Sequence, residues 1–132
     1  MRRISRHRLA CVVFAIIMGL FGIFHLYNAE NMKSIVPDYV PGGIVWVYIS
    51  GAGFILASIA ILVDRYTKTA CYMLAGMLLV FIFLIHVPVV VSGESEIVKQ
   101  TGLLMMLKDI GLVMAALLVG YNSNRPDGVP NL

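Results

Sequence analysis

Four apolar runs divide the chain, at residues 9–27, 44–63, 70–91 and 102–121. Each is about 20 residues long, enough at about 1.5 Å per residue to cross a hydrocarbon core about 30 Å thick. None alternates in strand fashion, and a helix satisfies its own backbone groups where lipid offers no partner. The pattern predicts an all-α fold: an integral membrane four-helix bundle forming one domain over residues 1–121, followed by a polar tail over 122–132.

The connections differ in kind. Residues 64–69 read as a tight turn, and 92–100 as a short acidic loop on the opposite side. In the longest, 28–43, Met32, Ile35 and Val36 recur at the spacing of one helical face before Pro37 and the run Pro41, Gly42, Gly43 break the chain. That pattern predicts a short amphipathic helix in the first outer loop, serving either as a connector or as a lid over the mouth of the bundle. Ser50, Gly53, Ala57 and Ala60 in the second run, and Gly111 and Ala115 in the fourth, place small residues on one face. Such faces are where helix backbones approach each other in lipid.

Composition removes a soluble alternative. Hydrophobic residues make up 60% of the chain and charged residues 13%, against about 25% charged in a soluble domain. Mean hydropathy is +0.90. The net charge of +3 forms no basic stripe, so nucleic acid is not an expected partner. Arg2, Arg3, Arg6, Arg8, Arg65, Lys68 and Arg125 fall on one side of the four spans and only Lys33 and Lys99 on the other. The excess of positive charge predicts both termini in the cytoplasm, for a protein of a bacterial inner (plasma) membrane. The first run is expected to stay as a span rather than be cleaved as a signal, because Phe24, His25, Leu26 and Tyr27 stand where small residues would be needed. Cys11 and Cys71 make no CxxC pair and read as small hydrophobes.

The informative positions are those an apolar helix should not contain: His25, His86, Lys108 and Asp109. Lys or Asp near the centre of a span costs about 2.5 to 3.5 kcal/mol, so each needs a partner or a use. Counted from the span midpoints, His25 lies about 10 Å outward, His86 and Tyr48 about 8 Å, and Lys108 and Asp109 about 3 to 4 Å. All five share the outer half and form a candidate layer for ligand binding or proton relay. Adjacent helical positions point about 100° apart, so Lys108 and Asp109 are not expected simply to neutralise one another, and a partner on another helix is wanted. A carboxylate beside an imidazole can pass a proton or hold a polar head. The plainer reading has Lys108 snorkelling, His25 near the interface, and His86 capping backbone groups freed by Pro88, which removes the hydrogen bond to the Leu84 carbonyl.

Catalytic motifs are missing: no HExxH, CxxC, serine elbow or phosphate loop. Two histidines on separate helices suit haem or a metal less well than a polar pocket, and no metal is expected. Tyr27, Tyr39, Trp46 and Tyr48 read first as an outer aromatic belt and second as a cofactor box.

Phe24 and His25 closing the first run, Pro37 to Pro41, then Tyr48, Ile49, Ser50 and Gly51 opening the second, resemble the DoxX family. His86 with Pro88, and Lys108 with Asp109, are similar to its later features, and the resemblance covers residues 12–120. It implies a four-helix membrane fold associated with redox chemistry, since founding members look like a subunit of a thiosulfate:quinone oxidoreductase. Many relatives carry a Glu four positions after the Ser matched by Ser50; here that place is Phe54, so this chain either lacks that carboxylate or takes the charge from Asp109 on another helix. The resulting expectation is a membrane redox accessory, or subunit of a quinone-linked oxidoreductase, that binds a quinone-like or other amphiphilic ligand, with His86 and Asp109 handling a proton. The alternative is a non-catalytic subunit or assembly factor for a partner membrane protein. Beyond the lipid bilayer, a membrane protein partner or a homo-oligomer fits either reading.

Overall fold

The computed structural model describes residues 6–123. Arg2, Arg3, Arg125 and the tail from residue 124 onward lie outside the described residues. The chain runs through α1 (Arg6–Tyr27), α2 (Ala29–Met32), a 3-10 turn (Lys33–Ile35), α3 (Ile44–Leu62), α4 (Thr67–Phe81), a π turn (Ile82–His86), α5 (Val87–Ser92) and α6 (Glu96–Asn122). There is no strand among the described residues. α4, the π turn and α5 form one continuous span, Thr67–Ser92, and four helices are long and apolar enough to cross a membrane.

The first, third and fourth spans begin earlier than their apolar runs because polar residues extend their ends. α1 starts at Arg6 and the third span at Thr67. The expected loop over 92–100 shrinks most: α6 begins at Glu96, where the Ser95 side chain accepts a hydrogen bond from the Val98 N–H at 3.3 Å. An N-cap serine followed by an acidic first-turn residue stabilises a helix start, so polarity here marks a helix end rather than a loop.

Large apolar side chains point outward, including Leu20, Phe83 and Leu104. That arrangement fits a lipid solvent, and small residues bring the helices together. α1 and α3 meet where Gly22 faces Gly51, so closely that a Cβ on Gly22 would lie 2.8 Å from the Gly51 carbonyl oxygen. One layer below, the Ser58 hydroxyl donates to the Ala15 carbonyl at 2.6 Å. α3 also packs on α4, and α4 and α5 pack on α6. Met18, Phe54, Leu78 and Val113 bring all four spans into one buried core.

The fourth span corrects the expected contact face. Nothing lies within 4 Å of a Cβ placed on Gly111. Its buried residues are Gly102, Asp109, Val113, Ala116 and Gly120. These follow helical steps of seven, four, three and four, whereas Gly111 stands two positions, or about 200°, beyond Asp109 and therefore on the far side. In α3 the buried face includes Ser50 and Ala57 as expected, together with Gly51 and Ser58, while Gly53 and Ala60 are half-buried.

At the short-turn end of the bundle, Arg8 donates to the Ile61 and Leu62 carbonyls at 2.8 and 2.6 Å and lies 3.6 Å from Asp64. A cation thereby covers the last carbonyls of α3. The turn is made by Asp64 and Tyr66 in left-handed conformations, with φ of 56° and 58°.

Candidate functional site

At the long-loop end, residues from all four spans enclose a cavity of about 220 Å³. Its polar wall contains His25 of α1, Ser50 of α3, His86 of the third span, and Lys108 and Asp109 of α6.

Pro88 helps explain how His86 reaches this cavity. Proline cannot donate to the Leu84 carbonyl and its ring crowds that oxygen, and the helix widens into the π turn Ile82–His86. In a regular α-helix His86, eight residues after buried Leu78, would point about 80° off the core face. A π turn that takes up one residue brings it to within about 20°. His86 is 9% exposed and its Nε2 lies 2.8 Å from Oδ2 of Asp109, which is 4% exposed. A carboxylate only accepts, so the imidazole N–H is the donor. His86 is therefore bonded across to α6 rather than capping the backbone freed by Pro88.

The Leu84 carbonyl instead accepts a hydrogen bond from the Tyr39 hydroxyl. Tyr39 sits in the long connection, so the proline kink ties that connection to the third span. A second tie is internal: the Trp46 indole N–H donates to the Pro41 carbonyl at 2.7 Å. Gly42 and Gly43, with φ of 95° and 39°, make the turn that permits it. The expected amphipathic helix is reduced to the single turn of α2 followed by the 3-10 turn. Met32, Ile35 and Val36 nevertheless line the cavity together.

Asp109 thus has a partner on another helix, and it pairs with its neighbour as well: Lys108 Nζ lies 3.0 Å from Asp109 Oδ1. Their Cβ atoms diverge, but the long lysine stem curls back, and its ammonium also sits 5.0 Å from the centre of the Phe21 ring. The ammonium stands outside hydrogen-bonding angles to Oδ1, so this buried oxygen has a nearby charge and no aligned donor. The carboxylate thus holds one imidazole and one ammonium on its two oxygens.

His25 lines the same cavity, yet its hydrogen-bond partner is local: Nδ1 lies 2.7 Å from the Phe21 carbonyl. That oxygen only accepts, so Nδ1 carries the hydrogen and Nε2 of the neutral ring is left as an acceptor. The His25 ring stands 5.1 Å from Phe54, which is itself 6.0 Å from Phe21. Phe54 is therefore an aromatic wall of the same cavity that Asp109 lines from α6. Tyr48 does not join the layer; it is 47% exposed and lies outside the lining. Val47, Ser50 and Phe54 share the inward face of α3, and Tyr48 points about 100° away from Val47. Depth along a span did not fix direction around it.

Trp46 and Phe54 line the cavity and Tyr39 ties the long connection to the third span, though none of the three was among the polar-layer candidates. A usable signal existed for Tyr39: Pro88 leaves one carbonyl without its helical donor, and a tyrosine between Pro37 and Pro41 offers a hydroxyl on a short tether. Among the described residues, no group of three or more His, Cys, Asp and Glu side chains is placed to hold a metal ion.

A family model described as a domain of unknown function, DUF8561, matches residues 14–121. The chain belongs to this family. The DUF8561 match takes in α1 from Phe14 onward, the other three spans up to Tyr121 and every polar residue of the cavity. No curated protein and no solved structure matches the chain.

Proposed function

We propose that this DUF8561 protein is a membrane redox accessory whose cavity binds a quinone-like or other amphiphilic ligand. The observation that carries this reading is the buried His86–Asp109 bond, with Lys108 beside it, set in a cavity whose remaining walls are largely aromatic and aliphatic. A polar head is met by a few convergent groups and the rest of the molecule by apolar surface, the usual composition of a ligand site. The His86–Asp109 pair supplies a place to hold or pass a proton beside that head. In this reading the protein sits in a bacterial plasma membrane with both termini cytoplasmic, as its arginine distribution favours, and the cavity lies in the outer half. The DoxX resemblance supports the redox assignment.

Trp46 is the single tryptophan and lines the cavity, so its fluorescence reports occupancy. The full chain in lipid nanodiscs is titrated with a decyl-substituted quinone. Saturable quenching, lost in Asp109→Ala, is the expected result. Quenching that rises in proportion to quinone in the lipid, without saturation and equally in the variant, would reject the ligand-site reading. Reporter fusions within 93–95 and after Ser123 test the orientation; a cytoplasmic signal from the first or an external one from the second would reverse it.

A further inference from the structure

The groups left over in the cavity specify more than an amphiphile. Its volume, about 220 Å³, exceeds the roughly 150 Å³ that holds a benzene ring and falls below the 300 to 1,000 Å³ common for drug-sized ligands. One substituted ring fits, and a long tail does not. The tail has an exit: α1 and α6 do not pack along their length, and the cavity residues Phe24 of α1 and Lys108 of α6 are both well exposed. A ring head can sit inside while its chain leaves between these helices into lipid.

The head is then selected by hydrogen-bond polarity. Asp109 Oδ2 is occupied by His86, whereas Oδ1, 3.0 Å from the Lys108 ammonium, is ion-paired and buried but accepts no hydrogen bond. His25 has committed its Nδ1–H to the Phe21 carbonyl, which leaves an acceptor at Nε2. Ser50 has committed its hydroxyl hydrogen to the Val47 carbonyl at 2.8 Å. The unfilled positions are therefore chiefly acceptors, with the Lys108 ammonium as the adjacent donor. A ring hydroxyl satisfies both kinds, donating to Oδ1 and accepting from Lys108. A ring carbonyl or an ether oxygen accepts from Lys108 and leaves Oδ1 facing another lone pair, which is costly for a buried acceptor.

We infer that the cavity binds the hydroxyl-bearing form of a single-ring amphiphile, a phenol or quinol head on an apolar chain, in preference to forms that lack the hydroxyl hydrogen. This rests on the ligand-site reading above and adds to it the chemical class and the form preferred. It involves binding alone and no electron transfer.

The test compares para-nonylphenol with its methyl ether, which has the same ring and tail and no donor. Both are titrated against the full chain in nanodiscs, with Trp46 emission and displacement of the decyl-quinone as readouts. The phenol is expected to bind about tenfold or more tightly, the loss anticipated when a hydrogen bond to a charged acceptor is removed. In Asp109→Asn, the amide oxygen goes to the His86 N–H and the amide NH2 stands where Oδ1 was, so the preference is expected to vanish or reverse. Equal affinity of wild-type protein for the two compounds overturns the inference, as does an undiminished phenol preference in folded Asp109→Asn. Should that variant fail to fold, the wild-type comparison decides alone. Saturable quinone binding with no binding of the phenol rejects the hydroxyl preference and leaves the ligand site standing; no saturable binding of any of the three rejects both.

Discussion

The two ends of the bundle handle polar groups in opposite ways. At the short-turn end, Arg8 covers the Ile61 and Leu62 carbonyls and lies beside Asp64, the Thr67 hydroxyl donates to that carboxylate at 3.4 Å, and Cys11 and Cys71 fill a sealed apolar layer with Ala15 and Ile61. At the long-loop end a carboxylate, an ammonium and two imidazoles surround open space. The first arrangement closes a helix end and links two spans. The second sets a charge network, anchored on buried Asp109 and His86, in the wall of a cavity. Charge count alone does not separate the ends; what separates them is whether the polar groups end on backbone or on a cavity.

The largest expected effect tests the charge network. Asp109→Ala strands His86 and Lys108 and should cost about 3 to 5 kcal/mol in reversible unfolding from mixed micelles, as breaking a buried ion pair does. Adding His86→Phe to that background should cost less than His86→Phe alone, because the stranded partner has gone; strictly additive effects would show that no network exists.

Next comes packing of the scaffold that holds the cavity. Gly22→Ala places a methyl 2.6 Å from Ile55 Cγ1 and 2.8 Å from the Gly51 carbonyl, and should cost about 1 to 3 kcal/mol in the same assay. Gly111→Ala meets open space and should leave stability unchanged or raise it by up to about 1 kcal/mol. Equal effects at both glycines would refute the assigned faces of α1 and α6.

Arg8→Met probes the closed end. Two carbonyl acceptors lose their donor near a helix terminus, where water or headgroups replace it in part, so about 1 kcal/mol of destabilisation is expected. Ligand affinity measured through Trp46 should stay as in wild type. A large change there would mean that the ends are coupled.

The smallest effects distinguish two tyrosines. Tyr39→Phe frees the Leu84 carbonyl and should lower stability by about 0.5 to 1.5 kcal/mol while speeding ligand release, since the long connection loses its tie to the third span. Tyr48→Phe should change neither stability nor affinity, because this side chain lies outside the cavity. A Tyr48 effect as large as that of Tyr39 would return it to the polar layer.

The sequence by itself determined that the chain forms four apolar helices, because hydropathy and run length depend on composition along a line and lipid forces each backbone to satisfy itself. It also determined that His86, Lys108 and Asp109 needed explanation, since polar groups in such helices are costly wherever they point. It did not determine direction around the helix axis. Tyr48 matched the layer in depth and misses the cavity in azimuth; Gly111 matched the small-residue pattern and faces away from the core. A π turn of five residues, Ile82–His86, redirects everything after it, and the long stem of Lys108 returns its charge to the neighbouring Asp109 despite their divergent Cβ atoms. Only the tertiary structure decided that Leu84, freed by Pro88, would be claimed by Tyr39 from 45 residues away, and that Phe54 and Asp109 would line one cavity from different helices. The physical reason is that helix formation is local, whereas the partner of a buried polar atom is set by how whole helices rotate against one another to bury their small residues.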